Sequence, residues 1–545
     1  MRNTSRYLAI VIALPLIMAA VRAPQDHSHH GDALGTVHFE ISCSPEVTAS
    51  FKRAVALLHS FGYEESRRAF EDVASRDSRC AIAHWGIAMT WWHPLWAPPT
   101  NAELTSGAKA AATAKSIAGG TQRERAYIEA IGLFYDNADT MTHQARAVAY
   151  RERMMRMSTD FKDDAEASIF YALSLLATAP PADATFGNQK QAAAILNRIS
   201  TSQPDHPGIV HYLIHAFDYP PLAREALPAA RAYAKVAPAS PHALHMPTHI
   251  FTRLGLWQES IEANLASART AREVVARTHP GAASFDALHA LDYLVYAYLQ
   301  IDSQEKARAA ADEAASARQF DEPNFAAGYA IAAIPARRTL ERHDWQGAAA
   351  LDAPVVNLPW QQFPYALAIT QFAQAVGAAR TGQSARARVA LDALRATEQQ
   401  LMKNPVPGPY DWASQVESMR LAASAWTSRA EGRNEEALTD ARAAAELEEK
   451  VGKHPVTPGA ILPARELLGD LLLDLDRPGE ALSAFESSLS QSPNRFNSLA
   501  GAALAAARAG HREKAAQHYR TLLTQTDKES TRSEVREARE FLNRK

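Results

Sequence analysis

Residues 206–253 read HPGIVHYLIHAFDYPPLAREALPAARAYAKVAPASPHALHMPTHIFTR, and the rest of the chain is organised around them. Six of the protein's 20 histidines fall in this stretch: His206, His211, His215, His242, His245 and His249. Within each half they recur every three or four residues, a spacing that puts imidazoles on one face of a helix. Between the halves the step is 34, from His211 to His245 and again from His215 to His249, so the two stripes are copies in register.

A 34-residue period is that of a helix–turn–helix repeat with the loose pattern W-x2-L-G-x2-Y, A-x3-F, P. Its second helix can be followed through Ala192, Leu196, Ile199 and Pro204, then Ala226, Ala230, Tyr233 and Pro238, then Ser260, Asn264 and Ser267. LGLWQES at 254–260 has the form of the turn between helices. Further out, SPEVTASFKRAVALLHSF, GYEES and RRAFEDVASRDS make an N-terminal unit with Phe70 four after Ser66. RELLGDLLLDLDRPGEALSAFESSLSQSP makes a C-terminal one with Leu468, Gly469, Ala481, Phe485 and Pro493, and Ala515 and Tyr519 follow Ala481 and Phe485 by 34. On these residues the chain resembles the tetratricopeptide repeat (TPR) family. The resemblance implies an all-α, right-handed α-solenoid in which the first helix of each repeat lines a concave groove. Residues 124–180 fit the consensus poorly and are read as divergent helical pairs. The phrases LLHSFGYEES, CAIAHWGIAM, HYLIHAFDYP and HMPTHIFTRLG make residues 43–300 similar to a group of exported bacterial TPR proteins, which implies export and no particular activity.

The organisation expected is a signal peptide at 1–23, a His-rich linker at 24–42, an N-terminal TPR solenoid with a His-lined groove at 43–350 and C-terminal TPR repeats at 351–545. Arg2 and Arg6 ahead of YLAIVIALPLIMAAV form the charged and apolar regions of a secretory leader, so periplasmic or secreted placement is expected. No later stretch is long and apolar enough to span a bilayer. The linker's His27, His29 and His30 could load metal or belong to a solvated tail. A net charge of −3 gives no electrostatic reason to expect nucleic acid.

The two cysteines, Cys43 and Cys80, precede equivalent helices of adjacent repeats, and stacking makes such helix starts neighbours. In an oxidising compartment a disulfide is expected, with two separate buried thiols as the alternative. Trp85 and Trp92 are read either as inter-repeat packing or as a stacking floor for a ligand.

In the repeat register implied by the resemblance, His211, His215 and Asp218 face the groove from one first helix. His242, His245 and His249 do so from the next, and His289, Asp292 and Tyr296 from the one after. Imidazole nitrogens with an occasional carboxylate suit copper or zinc and disfavour magnesium or calcium. Pro247 breaks a local rule within this cluster, since it removes a helical hydrogen bond. Three readings follow. The groove binds copper or zinc or a small ligand on His211, His215, His242, His245, His249, His289 and Asp292; or it grips a protein or peptide partner, with Asp218, Tyr219, Arg253 and Tyr296 among the contacts; or the histidines are structural. No HExxH, P-loop or GxSxG element supports a hydrolase. Two histidine groups could hold two metal ions, resembling the ligand set of coupled dicopper oxygen-activating proteins on another fold, so a redox metalloenzyme remains open.

Overall fold

The computed structural model describes residues 33–544 apart from positions 97 and 182; the expected leader and His27, His29 and His30 lie outside the described residues. Helix follows helix throughout, no strand occurs among the described residues, and Ala283 and Phe320 form an isolated β-bridge. Each helix packs against its sequence neighbours, as in the hairpin Thr48–His59 with Tyr63–Arg76. The all-α stack of helix hairpins read from the 34-residue period is therefore the observed architecture.

The periodic positions explain the stacking. Ala192, Leu196, Ala230 and Tyr233 are all buried, so the second helix of each unit seats its small and aromatic residues against the next. Gly469 shows the tightness required: a Cβ there would come within 2.7 Å of the Phe485 ring, the aromatic of the same repeat. Thr100 with Glu103 and Thr121 with Glu124 form two complete capping boxes that start the helices Asn101–Ser116 and Gln122–Tyr135. Residues on either side of position 350 share one core, since Ala348 and Ala349 belong to the same cluster as Phe372 and Val376.

Four helical segments carry the histidines: Pro207–Phe217, Pro241–His245, Pro247–Arg253 and Phe285–Gln300. Pro207 and Pro241 stand in first turns, where no intrahelical bond from their nitrogen is needed. Pro247 does what its ring dictates and splits one repeat helix into two short ones at Met246.

The stack closes on itself. Gly255 adopts φ +64°, and a Cβ there would lie 2.3 Å from the carbonyl oxygen of Pro493, so the turn before Trp257 must be glycine for the two turns to meet. Trp257 Nε1 donates to the Asn494 carbonyl at 2.8 Å and Asn494 Nδ2 donates to the Gly255 carbonyl at 3.2 Å. Residues from both halves thereby enclose a cavity of about 1370 Å³.

Cys43 and Cys80 are joined by a disulfide with their Cα atoms 5.0 Å apart. Closing a loop across 37 residues removes unfolded-state entropy worth about 3–4 kcal/mol. Cys43→Ser is expected to lose that much in urea unfolding monitored on the N-terminal helices; an unchanged midpoint would mean that the bond constrains nothing.

Candidate metal centre

The histidines sort into two trios and one separate network. His211, His215 and His242 form the first trio, and His245, His249 and His289 the second; in each, one nitrogen per ring lies within 4.8 Å of the others. In the first, His215 Nε2 and His242 Nε2 both stand 3.1 Å from His211 Nε2. In the second, His245 Nε2 and His249 Nε2 are 3.1 Å apart, and the His289 ring lies 4.2 Å from that of His245. Nitrogens held at about 2.0–2.1 Å around a tetrahedral ion are spaced by roughly 3.3 Å, close to the three pairs at 3.1 Å.

The outer nitrogens fix the tautomers. His211 Nδ1 faces the His59 carbonyl oxygen at 2.6 Å, which can only accept, so this nitrogen carries the proton and Nε2 presents its lone pair. His245 Nδ1 donates to Asn264 Oδ1 at 2.8 Å, an orientation set by Asn264 Nδ2 donating to the Ser260 carbonyl at 2.9 Å. His249 Nδ1 donates to Asp218 Oδ2 at 3.2 Å. Two lone pairs therefore oppose each other between His245 and His249. A proton shared between them would need an imidazolium, which burial disfavours at both rings. Burial is also the main cause that holds His211, His242 and His289 well below the usual imidazole range and His215 down at about 3. Burial keeps these imidazoles neutral, and His211, His245 and His249 are also oriented from behind, as metal-ligating histidines are.

Asp218 links the trios. It follows the helix that carries His211 and His215, yet its carboxylate orients His249 of the second trio. It also accepts from Arg253 Nε at 2.9 Å and Lys453 Nζ at 3.0 Å. Burial alone would raise its carboxyl, but Lys453 and Arg253 outweigh that and hold it well below the usual range. Lys453 belongs to residues 452–463, a helix-free segment that runs into the groove. Tyr293 Oη donates to the Val456 carbonyl at 3.0 Å, and Arg337 donates to the carbonyls of Gly459 and Ala460 at 2.9 and 2.8 Å. The Tyr293 ring also packs against all three histidines of the second trio.

Other sequence readings change. The groove gathers His211, His215, His245 and His249 into two trios, because His242 turns toward the preceding helix while His245 and His249 are completed by His289 from the following one. Asp292 joins neither trio; its carboxylate is buried against Arg337 Nε at 3.0 Å. Trp85 and Trp92 are not a ligand floor. They are buried, Trp85 among Phe39, Tyr127 and Phe170 and Trp92 stacked on Phe134. Asp218, Tyr219, Arg253 and Tyr296 all line the cavity, as does His215, so the first trio is reached from it. Tyr296 is held there by Arg495 Nη1 at 2.7 Å.

The separate network is not foreshadowed by any motif in the sequence. His59 Nε2 and His206 Nε2 each meet one oxygen of Glu166 at 2.9 Å, and His59 Nδ1 meets Tyr212 Oη at 2.9 Å, all fully buried. Here nitrogens face carboxylate oxygens at hydrogen-bond distance, and this buried hydrogen-bonded network positions the His59 carbonyl behind His211.

No family model matches the chain, and no curated protein does. Among solved structures, the APC/C hetero-tetramer Cut9–Hcn1 is similar at 12% identity and TM-score 0.33, over 92% of this chain and 90% of that one. Yeast Tom70 is similar at 10% identity and TM-score 0.33, over 91% and 95%. Naa15/Naa10 bound to HypK-THB gives 14% and 0.24 over 90% of this chain, which spans 64% of that one.

Proposed function

We propose that this protein is an exported TPR-type solenoid whose groove binds two transition-metal ions, copper or zinc, one in each histidine trio. The observation that supports this best is the opposition of lone pairs at 3.1 Å in the second trio, where the outer hydrogen bonds of His245 and His249 leave no proton to place between them. Facing acceptors without a bridging group cost about 1–3 kcal/mol; a cation turns that repulsion into two bonds. Three imidazoles with no thiolate suit copper and zinc. Export is supported by the leader-like N-terminus and by a disulfide of the kind that persists in oxidising compartments. The alternative, a scaffold that grips a peptide, is weakened because residues 452–463 of the same chain lie where such a peptide would.

Elemental analysis of untagged protein, dialysed after exposure to copper or zinc, is expected to give two ions per chain, and His242→Ala one. Equal content in the two proteins, or none in either, removes the proposal.

A further inference from the structure

Resting on that metal reading, we infer that the two trios hold copper(I) as one coupled pair whose ligand is dioxygen, bound between the two ions as peroxide. Three observations carry this.

The trios are close. His242 of the first and His245 of the second stand three residues apart in the helix Pro241–His245, a spacing with Cβ atoms about 5–6 Å apart. Asp218, which follows the helix of His211 and His215, also accepts from His249 Nδ1 of the second trio at 3.2 Å.

Charge selects the oxidation state. Neither trio contains a carboxylate or thiolate. The one carboxylate that touches them, Asp218, is already met by Arg253 and Lys453. Two divalent ions would bury four positive charges without an anionic ligand, and each uncompensated buried charge costs several kcal/mol. Two copper(I) ions halve that load.

The dioxygen step then leaves the charge unchanged. Each copper(I) gives one electron and becomes copper(II), and dioxygen takes both and becomes peroxide. Two divalent ions with one dianion carry the same total charge as two monovalent ions, no proton moves, and loss of dioxygen reverses the step. The geometry also leaves room for a ligand: each trio supplies three nitrogens, one short of a closed tetrahedron. Phe61 covers one side of the first trio, its ring 4.4 Å from His211, 5.7 Å from His215 and 5.5 Å from His242, while His215 borders the cavity.

The test is to load the full chain anaerobically with copper(I), count the copper and admit dioxygen. Expected are uptake of one dioxygen per two coppers, a new charge-transfer absorption, and an electron paramagnetic resonance signal far below the copper content because the two copper(II) spins couple. His289→Ala, which dismantles only the second trio, should hold one copper, take up no dioxygen and give no such absorption, and should show the full signal of an isolated copper(II) once a one-electron oxidant such as ferricyanide is added. Two coppers per chain with a full-intensity signal after dioxygen would overturn the coupled pair and leave the metal reading standing. No copper uptake would overturn both.

Discussion

Asp218→Asn is expected to weaken metal binding at the second trio by roughly 10–100-fold, the usual cost of losing an outer partner of a ligating histidine, while leaving the first trio unchanged. The asymmetry follows from position: Asp218 sits on the stretch of chain that leaves the first trio's helix, but its Oδ2 accepts from His249 Nδ1 in the second. An amide keeps the size and loses the charge. His249 is then free to turn or to take the other tautomer, and Arg253 and Lys453 are left without their shared counter-ion. Burial already pushes the Lys453 ammonium down to about 8, with Asp218 opposing that shift; without the carboxylate it falls further and the segment 452–463 loses an anchor. Competition against a graded series of chelators should resolve two sites in the wild type and move only the weaker-held one in the variant. Lys453→Met separates the two roles, since it removes the cation while keeping the bond from His249 to Asp218, and it should leave the second site at wild-type affinity or tighter. If Asp218→Asn titrates like the wild type at both sites, the carboxylate is not what orients His249.

The repeat was legible because its signal is redundant: Ala192, Ala226 and Ser260 repeat one position, and the turns and prolines agree in phase with it. The same redundancy placed His211, His215, His242, His245, His249 and His289 in one groove. The partition into trios was not legible, because it depends on which way His242 turns in a helix that Pro247 cuts to five residues. One overlooked signal was present. Where two successive repeats have Leu196 or Ala230, the third has Asn264, flanked by Ser260 and Ser267 in place of alanine and aromatic residues. Buried polar groups in a core position need a partner, and Asn264 has one in His245 Nδ1. Lys453 and Arg337 could not be read, since nothing local tells that residues 452–463 enter a groove formed more than two hundred residues earlier. Glu166 and His59 were hidden for the same reason, and nothing in the histidine stretch tells that His206 faces them and not the groove; only the stack unites the three.

Arg495→Met is expected to cost about 3–5 kcal/mol of stability, the largest single effect in the C-terminal half, because it strands two buried carboxylates. Arg495 Nη2 meets Glu341 Oε1 and Glu466 Oε1, each at 2.9 Å, Nε donates to Glu466 Oε2 at 3.1 Å, and neither carboxylate nor the guanidinium is more than 2% exposed. The residue follows the turn that meets Gly255, so it fastens the helices Phe285–Gln300, Phe325–Leu340 and Ala464–Asp474 at the point where the stack closes. Replacing all three members, Arg495→Met with Glu341→Gln and Glu466→Gln, should recover most of the loss, since the penalty lies in uncompensated charge rather than in the missing contacts. The pH dependence gives an independent sign. Without the guanidinium, burial raises both carboxyls above their unfolded values, so the folded variant binds more protons than the unfolded chain and its deficit shrinks as pH falls from about 7 to 5. Urea unfolding at several pH values reads both effects; a deficit that is constant or grows on acidification would show that Arg495 acts through packing alone.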